Sequence, residues 1–143
     1  MKFFPASAAT QLEFDKVKEL LAAYCQTALG RDRAQNLRIH TRLEFIEAEL
    51  RQSHEYRQLV VHGIYFPNDH ALNLTKELKL LGIPGAVLSG EEMLSIRKLA
   101  ESMEKIFRWF DAERRQAYPA LLKVTRDSYY EKAVIGMIDV VLD

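Results

Sequence analysis

The chain has 143 residues, enough for one domain. Its 20 basic and 20 acidic residues cancel, which excludes the broad basic excess of an autonomous nucleic-acid binder and leaves room only for a local basic stripe. Hydrophobic residues at 48% suffice for a core, no apolar run reaches the length of a membrane span, and the single Cys25 cannot close an intramolecular disulfide, as suits a reducing cytoplasm.

The opening Met1-Lys2-Phe3-Phe4-Pro5 imitates a signal peptide, but its apolar run is too short and charge returns at Glu13 and Asp15. From there the pattern is helical nearly throughout. Phe14, Val17, Leu21 and Ala28 share one face of a first helix spanning Leu12 to Leu29, with Thr10 and Glu13 placed to form a capping box. Gly30 suits a left-handed helix closure there, and a short second helix follows from Arg31 to Leu37. Thr41 with Glu44 predicts the cap of a long third helix, in which Leu43, Ile46, Leu50 and Val60 or Val61 recur and Glu47, Glu49, Arg51 and Gln52 form the wet face.

His62 to His70 holds Gly63, Pro67 and an Asn-Asp pair, which break the helix. A fourth helix is predicted from Ala71 to Leu81, then a turn rich in glycine and proline through Leu88. Ser89-Gly90-Glu91-Glu92 reads as a capping box opening a fifth helix that reaches Ala112 or Arg115. Tyr118-Pro119 opens a turn and a short helix with Leu121, Leu122 and Val124; a last helix runs from Tyr130 to Leu142. Val140-Val141-Leu142-Asp143 carries no helix stop signal, so the chain reads as cut short at its C-terminal end. The expected fold is all-α: an irregular bundle of six or seven helices forming one domain over residues 1–143, with the long third and fifth helices as its central pair.

Two phrases carry a family resemblance. Thr27-Ala28-Leu29-Gly30-Arg31 follows an amphipathic helix and precedes a long one, and Gly85-Ala86-Val87-Leu88-Ser89-Gly90-Glu91-Glu92-Met93-Leu94 follows a leucine-rich helix. Their order and separation resemble the core domain of the type II branch of MutS ATPases, over residues 10 to 110. The resemblance implies a scaffold piece: the N-terminal part of a core and lever domain, with no catalytic residue of its own. The intact protein would add a nucleotide-binding domain using ATP and Mg²⁺, and a C-terminal Smr endonuclease module. It would be a cytoplasmic homodimer acting on DNA in repair or recombination control, or on collided ribosomes. No G-x-x-x-x-G-K-[ST] phosphate loop occurs in the 143 residues, so ATPase and nuclease are expected elsewhere in the polypeptide. The competing reading is a helical protein–protein interaction module without MutS ancestry, which balanced charge and long amphipathic helices suit equally well.

Several residues invite chemistry and have plainer readings. Arg31, Arg33, Arg38 and Arg42 cluster near the second helix and could fork onto phosphates, against a solvated face of internal ion pairs with Asp32 and Glu44. Arg114 and Arg115, after Glu113, are equally ambiguous. Phe45-Ile46-Glu47 matches the mismatch wedge of repair MutS proteins, but it falls inside a helix, where Phe45 would pack on a neighbouring helix. His40, His54, His62 and His70 lack the converging short spacing that zinc needs. Cys25 reads as a buried structural thiol. Phe107, Trp109 and Phe110 read as one aromatic knot in the core, and Tyr129 and Tyr130 as an exposed face.

Overall fold

A computed structural model describes residues 7–68 and 71–142. Every regular element among them is a helix: α1 (Ala8–Gln11), α2 (Phe14–Tyr24), α3 (Ala28–Gln35), α4 (Leu43–Val61), α5 (Thr75–Leu81), α6 (Gly90–Trp109), α7 (Ala112–Ala117), α8 (Pro119–Val124) and α9 (Ala133–Leu142). The all-α architecture follows the hydropathy period. There are nine helices among the described residues where the sequence predicts six or seven, because a short helix, α1, precedes the predicted first one and the predicted fifth one is interrupted to give α6 and α7. The chain divides into two compact units, Met1–Ile46 and Glu47–Asp143.

In the first unit the predicted helix from Leu12 to Leu29 is broken twice. Glu13 lies in the left-handed region at φ 53 and separates α1 from α2. A residue with a Cβ resists that conformation by about 1–2 kcal/mol. Here the Glu13 N–H donates to the Thr10 carbonyl at 3.1 Å, and its carboxylate meets Lys16 Nζ at 2.6 Å. Thr10 sits inside α1, so the predicted Thr10–Glu13 capping box does not form.

The second break is at Cys25, whose extended backbone ends α2. Thr27 then caps α3: its hydroxyl accepts the Gly30 N–H at 3.0 Å. Gly30 therefore stands in the first turn of α3 and closes no helix. Its glycine character has a steric cause, since a Cβ there would lie 3.1 Å from Thr27 Oγ1 and 3.4 Å from Cys25 Cβ. α2 packs on α3, and the buried residues among those described in this unit are Ala22 and Ala34, one from each helix. The first bond of α4 runs from the Ile46 N–H to the Arg42 carbonyl, so the cap position is Arg42, one residue after the predicted Thr41, and the helix starts at Leu43.

The left-handed glycine that does close a helix is Gly63, at φ 65. Its N–H donates to the Val60 carbonyl at 3.1 Å and the Ile64 N–H to the Leu59 carbonyl at 2.8 Å. These two bonds are the Schellman pattern, and they satisfy carbonyls that the end of α4 leaves open. The predicted fourth helix from Ala71 is shorter. Asn73 Oδ1 accepts both the N–H and the hydroxyl of Thr75, which holds the preceding residues in a turn and starts α5 at Thr75.

The capping box of α6 forms as read: the Glu92 N–H donates to Ser89 Oγ at 3.3 Å and the Ser89 N–H to Glu92 Oε2 at 2.8 Å. The Ser89 backbone N–H, then its hydroxyl, holds the Glu92 carboxyl below its ordinary pKa. The predicted run to Ala112 or Arg115 stops at Trp109. Asp111 starts a new helix by accepting the Arg114 N–H at 2.8 Å. Arg114 Nη1 donates to the Trp109 carbonyl and Arg115 Nε to the Phe110 carbonyl. Two cations thus occupy the end of α6, where the helix dipole favours them.

The core of the second unit has two clusters. Leu59, Trp109 and Phe110 form the first, with Phe66, Tyr118, Leu121 and Leu122 against it. The long helices α4 and α6 meet there through their C-terminal ends, and not as a pair along their length; the close helix packing in this unit is α6 with α9 and α7 with α8. Phe66 meets Trp109 edge-to-face at 4.9 Å, and Trp109 Nε1 donates to the Tyr65 carbonyl at 2.8 Å. Leu74, Ile96 and Ile138 form the second cluster, which joins the start of α5 to α6 and α9. Beside it, Arg97 Nε donates to Asp139 and Nη1 to Glu101, each at 2.6 Å. No helix among the described residues is long and apolar enough to cross a membrane.

Candidate nucleic-acid interface

Arg31 and Arg33 project from α3, while Arg38 and Arg42 stand in the segment that leads into α4. All four are exposed, and none has an ion-pair partner among the described residues. The ion pairs expected with Asp32 and Glu44 do not form. Asp32 Oδ1 instead accepts Asn36 Nδ2 at 3.1 Å, and Asn36 also bonds the Asp32 carbonyl. Arg51, Arg97, Arg108, Arg114 and Arg126 by contrast each hold a carboxylate. The four arginines do not make one flat patch. Two residues apart on a helix, Arg31 and Arg33 diverge by roughly 160° about the axis, on opposite flanks of the buried Ala34.

Arg38 also lines a cleft of about 370 Å³ with Phe14, Asp15, Lys18, Leu37 and Ile39. Lys18 Nζ meets Asp15 at 2.6 Å and lies 5.6 Å from the centroid of the Phe14 ring. That leaves the Arg38 guanidinium as the uncompensated charge of the cleft. Lys18 escapes a reading of the arginine cluster alone. Its signal is the spacing of four from Phe14 to Lys18, which stacks the two on one face of a helix.

Elsewhere the structure assigns plainer roles. Phe45 is not packed on a neighbouring helix: it is 42% exposed and its ring lies 4.2 Å from that of His40. His62 donates Nδ1–H to the Gln58 carbonyl at 2.7 Å, and His54 Nε2 is 3.3 Å from Gln58 Nε2. No group of three metal-ligating residues occurs among the described residues, and His70 lies outside them. Cys25 is half-buried rather than buried, with its thiol donating to the Leu21 carbonyl at 3.3 Å. Arg114 stacks 4.8 Å over Trp109, so it and Arg115 are engaged within the fold.

The aromatic knot divides. Trp109 and Phe110 are buried beside Phe66, whereas Phe107 stacks on Tyr130 at 6.4 Å. Tyr129 is exposed as read, while Tyr130 is half-buried, and burial is the first cause raising its phenol pKa. Glu131 accepts the Ala133 N–H at 3.1 Å and the Tyr129 hydroxyl at 2.9 Å. Those bonds, the backbone one foremost, hold its carboxyl below the ordinary range.

No family model and no solved structure matches the chain. Over 133 residues it is 31% identical to the Endonuclease MutS2 of Aquifex aeolicus (strain VF5), a match covering 90% of this chain and 17% of that protein. The chain carries a MutS2-like segment. Endonuclease MutS2 of Latilactobacillus sakei subsp. sakei (strain 23K) is 28% identical over 100 residues, 70% of this chain and 13% of the relative. Endonuclease MutS2 of Geobacillus kaustophilus (strain HTA426) is 34% identical over 85 residues, 59% of this chain and 11% of the relative. The MutS2-like segment thus spans less than a fifth of each of these relatives. Among the described residues of the first unit, Arg31, Arg33, Arg38 and Arg42 are its exposed, unpaired cations.

Proposed function

We propose that the MutS2-like segment is a non-catalytic part of a type II MutS-type protein, the N-terminal piece of its core and lever domain. The observation that carries this reading is the 133-residue match, which occupies only 17% of a relative named as an endonuclease. In this reading ATP, Mg²⁺ and the nuclease are engaged by other parts of the polypeptide. The segment's work is mechanical: densely packed helices resist compression and pass rigid-body motion from a nucleotide domain to arms that hold DNA or a ribosome. The intact protein would act as a homodimer in the cytoplasm.

In the first unit, Arg31, Arg33, Arg38 and Arg42 supply phosphate contacts to the nucleic acid. Because α3 splits Arg31 from Arg33, the contacts suit a backbone that curves past the helix better than a flat duplex face. The test assays the purified chain for ATP hydrolysis and DNA cleavage, and measures binding to branched, duplex and single-stranded DNA across a salt series. The expected result is no turnover and a weak, salt-dependent affinity. Turnover that scales with chain concentration and survives repurification would overturn the non-catalytic reading.

The alternative, a helical protein-interaction module, draws on the apolar side chains of α2, where Val17, Leu20 and Tyr24 are more than half exposed. A binding slope of zero against salt for every nucleic acid would favour it.

A further inference from the structure

The connection from α3 into α4 interleaves two kinds of side chain. Leu37, Ile39, Leu43 and Phe45 alternate with Arg38, His40 and Arg42. Residues 37–42 form no regular element, and their apolar members stay at the surface: Leu37 is 41% exposed and Ile39 46%.

Leu37 and Ile39 line the cleft of about 370 Å³ together with Phe14 of α2. Its size is at the small end of ligand sites, which run roughly from 300 to 1,000 Å³. The charged groups lining it, among the described residues, are Asp15, Lys18 and Arg38. Asp15 and Lys18 neutralise each other at 2.6 Å. One net positive charge is left, on Arg38, beside an apolar wall that includes one aromatic ring. A matching occupant has a flat apolar body joined to a single negative charge. A nucleotide within a strand has that chemistry, since its base is a planar ring and its phosphodiester is a monoanion. A guanidinium fork suits the phosphate oxygens.

The surface beside the cleft is of the same kind. His40 follows Ile39 directly, with Cα atoms about 3.8 Å apart. Its ring lies 4.2 Å from that of Phe45, which is 42% exposed. Arg42 precedes Phe45 by three residues at the start of α4, which puts both on one side of that helix. Exposed rings among unpaired arginines are the materials from which single-strand stacking surfaces are built. In a duplex each base face is covered by its stacked neighbours, so a base enters such a cleft only when it is unpaired or turned out of the helix.

We propose, resting on the phosphate contacts proposed above for the first unit, that the cleft holds one unpaired nucleotide of a single strand. Its base lies against Phe14, Leu37 and Ile39, and its phosphate is held by Arg38. The neighbouring nucleotide of the strand meets the rings of His40 and Phe45. The first unit thereby distinguishes an unpaired stretch from a bare phosphate backbone.

Fluorescence anisotropy with the whole 143-residue chain tests this with two labelled probes of equal length, an oligothymidylate and the same backbone with abasic residues. The oligothymidylate should bind at least about fivefold more tightly, the effect of a single stacked base. Leu37→Ser and Ile39→Ser, both at exposed positions, should each remove most of that difference and leave the affinity for the abasic strand unchanged. Arg38→Gln should weaken both probes by the same factor. Circular dichroism checks that each variant is folded. Equal affinity for the two probes, with salt dependence retained, would overturn the base site and leave the phosphate contacts standing. Salt-independent binding, or none, would overturn both. A preference for oligothymidylate that survives both serine variants would place the base on another surface and overturn the proposal too. An acidic, phenylalanine-containing peptide that binds where neither strand does would assign the cleft to a protein segment instead.

Discussion

The carboxylate of Glu55 accepts the backbone N–H of Leu121 at 2.8 Å, across 66 residues of sequence, and its other oxygen takes the Ala120 N–H at 3.0 Å. α8 begins with Pro119 and its N-cap Tyr118 makes no side-chain cap, so α4 supplies the acceptor that the local sequence lacks. Glu55→Ala should cost about 1–2 kcal/mol, the upper part of the range for a lost helix cap. Urea denaturation measures the loss, and amide exchange at Ala120 and Leu121 should accelerate ahead of the rest of the second unit.

Gly30→Ala separates two explanations of one glycine. In an unstrained helix interior that change stabilises by roughly 0.5–1 kcal/mol. Here the new methyl group would press on Thr27 Oγ1, the oxygen that caps α3. Gly30→Ala should therefore destabilise the parent, and should become neutral or favourable once Thr27→Gly has removed the obstructing side chain. A double-mutant cycle by urea unfolding reads the coupling directly.

The capping box of α6 gives a pH signature. The fold lowers the pKa of Glu92, chiefly through the Ser89 N–H. A carboxyl depressed in the folded state stabilises fully above its unfolded value of about 4.3, and that contribution fades as pH falls through the lower folded value. The denaturation midpoint of the parent should exceed that of Glu92→Gln at neutral pH, and the two should converge in acid below the ordinary carboxylate range.

If the first unit contacts phosphates, Arg38 is the most informative position, because it is exposed, unpaired and lines the cleft beside Phe14. Arg38→Gln should flatten the plot of log affinity against log salt by about 0.9 for duplex DNA or about 0.7 for single strands. An equal loss across unrelated sequences would identify a backbone contact rather than base readout.

Local signals were legible and long-range ones were not. Ser89 and Glu92 lie three residues apart, and their box formed as the pattern implied. Gly63 was readable as a break, though its two Schellman bonds need the geometry of α4. Gly30 misleads because glycine serves two purposes, left-handed backbone and close approach, and sequence alone cannot separate them. Phe107 and Trp109 look like one cluster in the chain, but two residues of helix turn them to different sides, one to Tyr130 and the other to Phe66. Glu55 gave no cue, since its partners are backbone N–H groups far along the chain. The arginine group was visible as composition; its lack of carboxylate partners required coordinates.

The contact between α2 and α3 has a mechanical consequence. Ala22 and Ala34, the buried side chains described on these two helices, offer one methyl group each. Small buried groups oppose sliding less than bulky ones do, whereas Leu59, Trp109 and Phe110 pack together as a bulky cluster that resists slip. By this argument the α2–α3 contact should yield more readily than the aromatic end of the long helices.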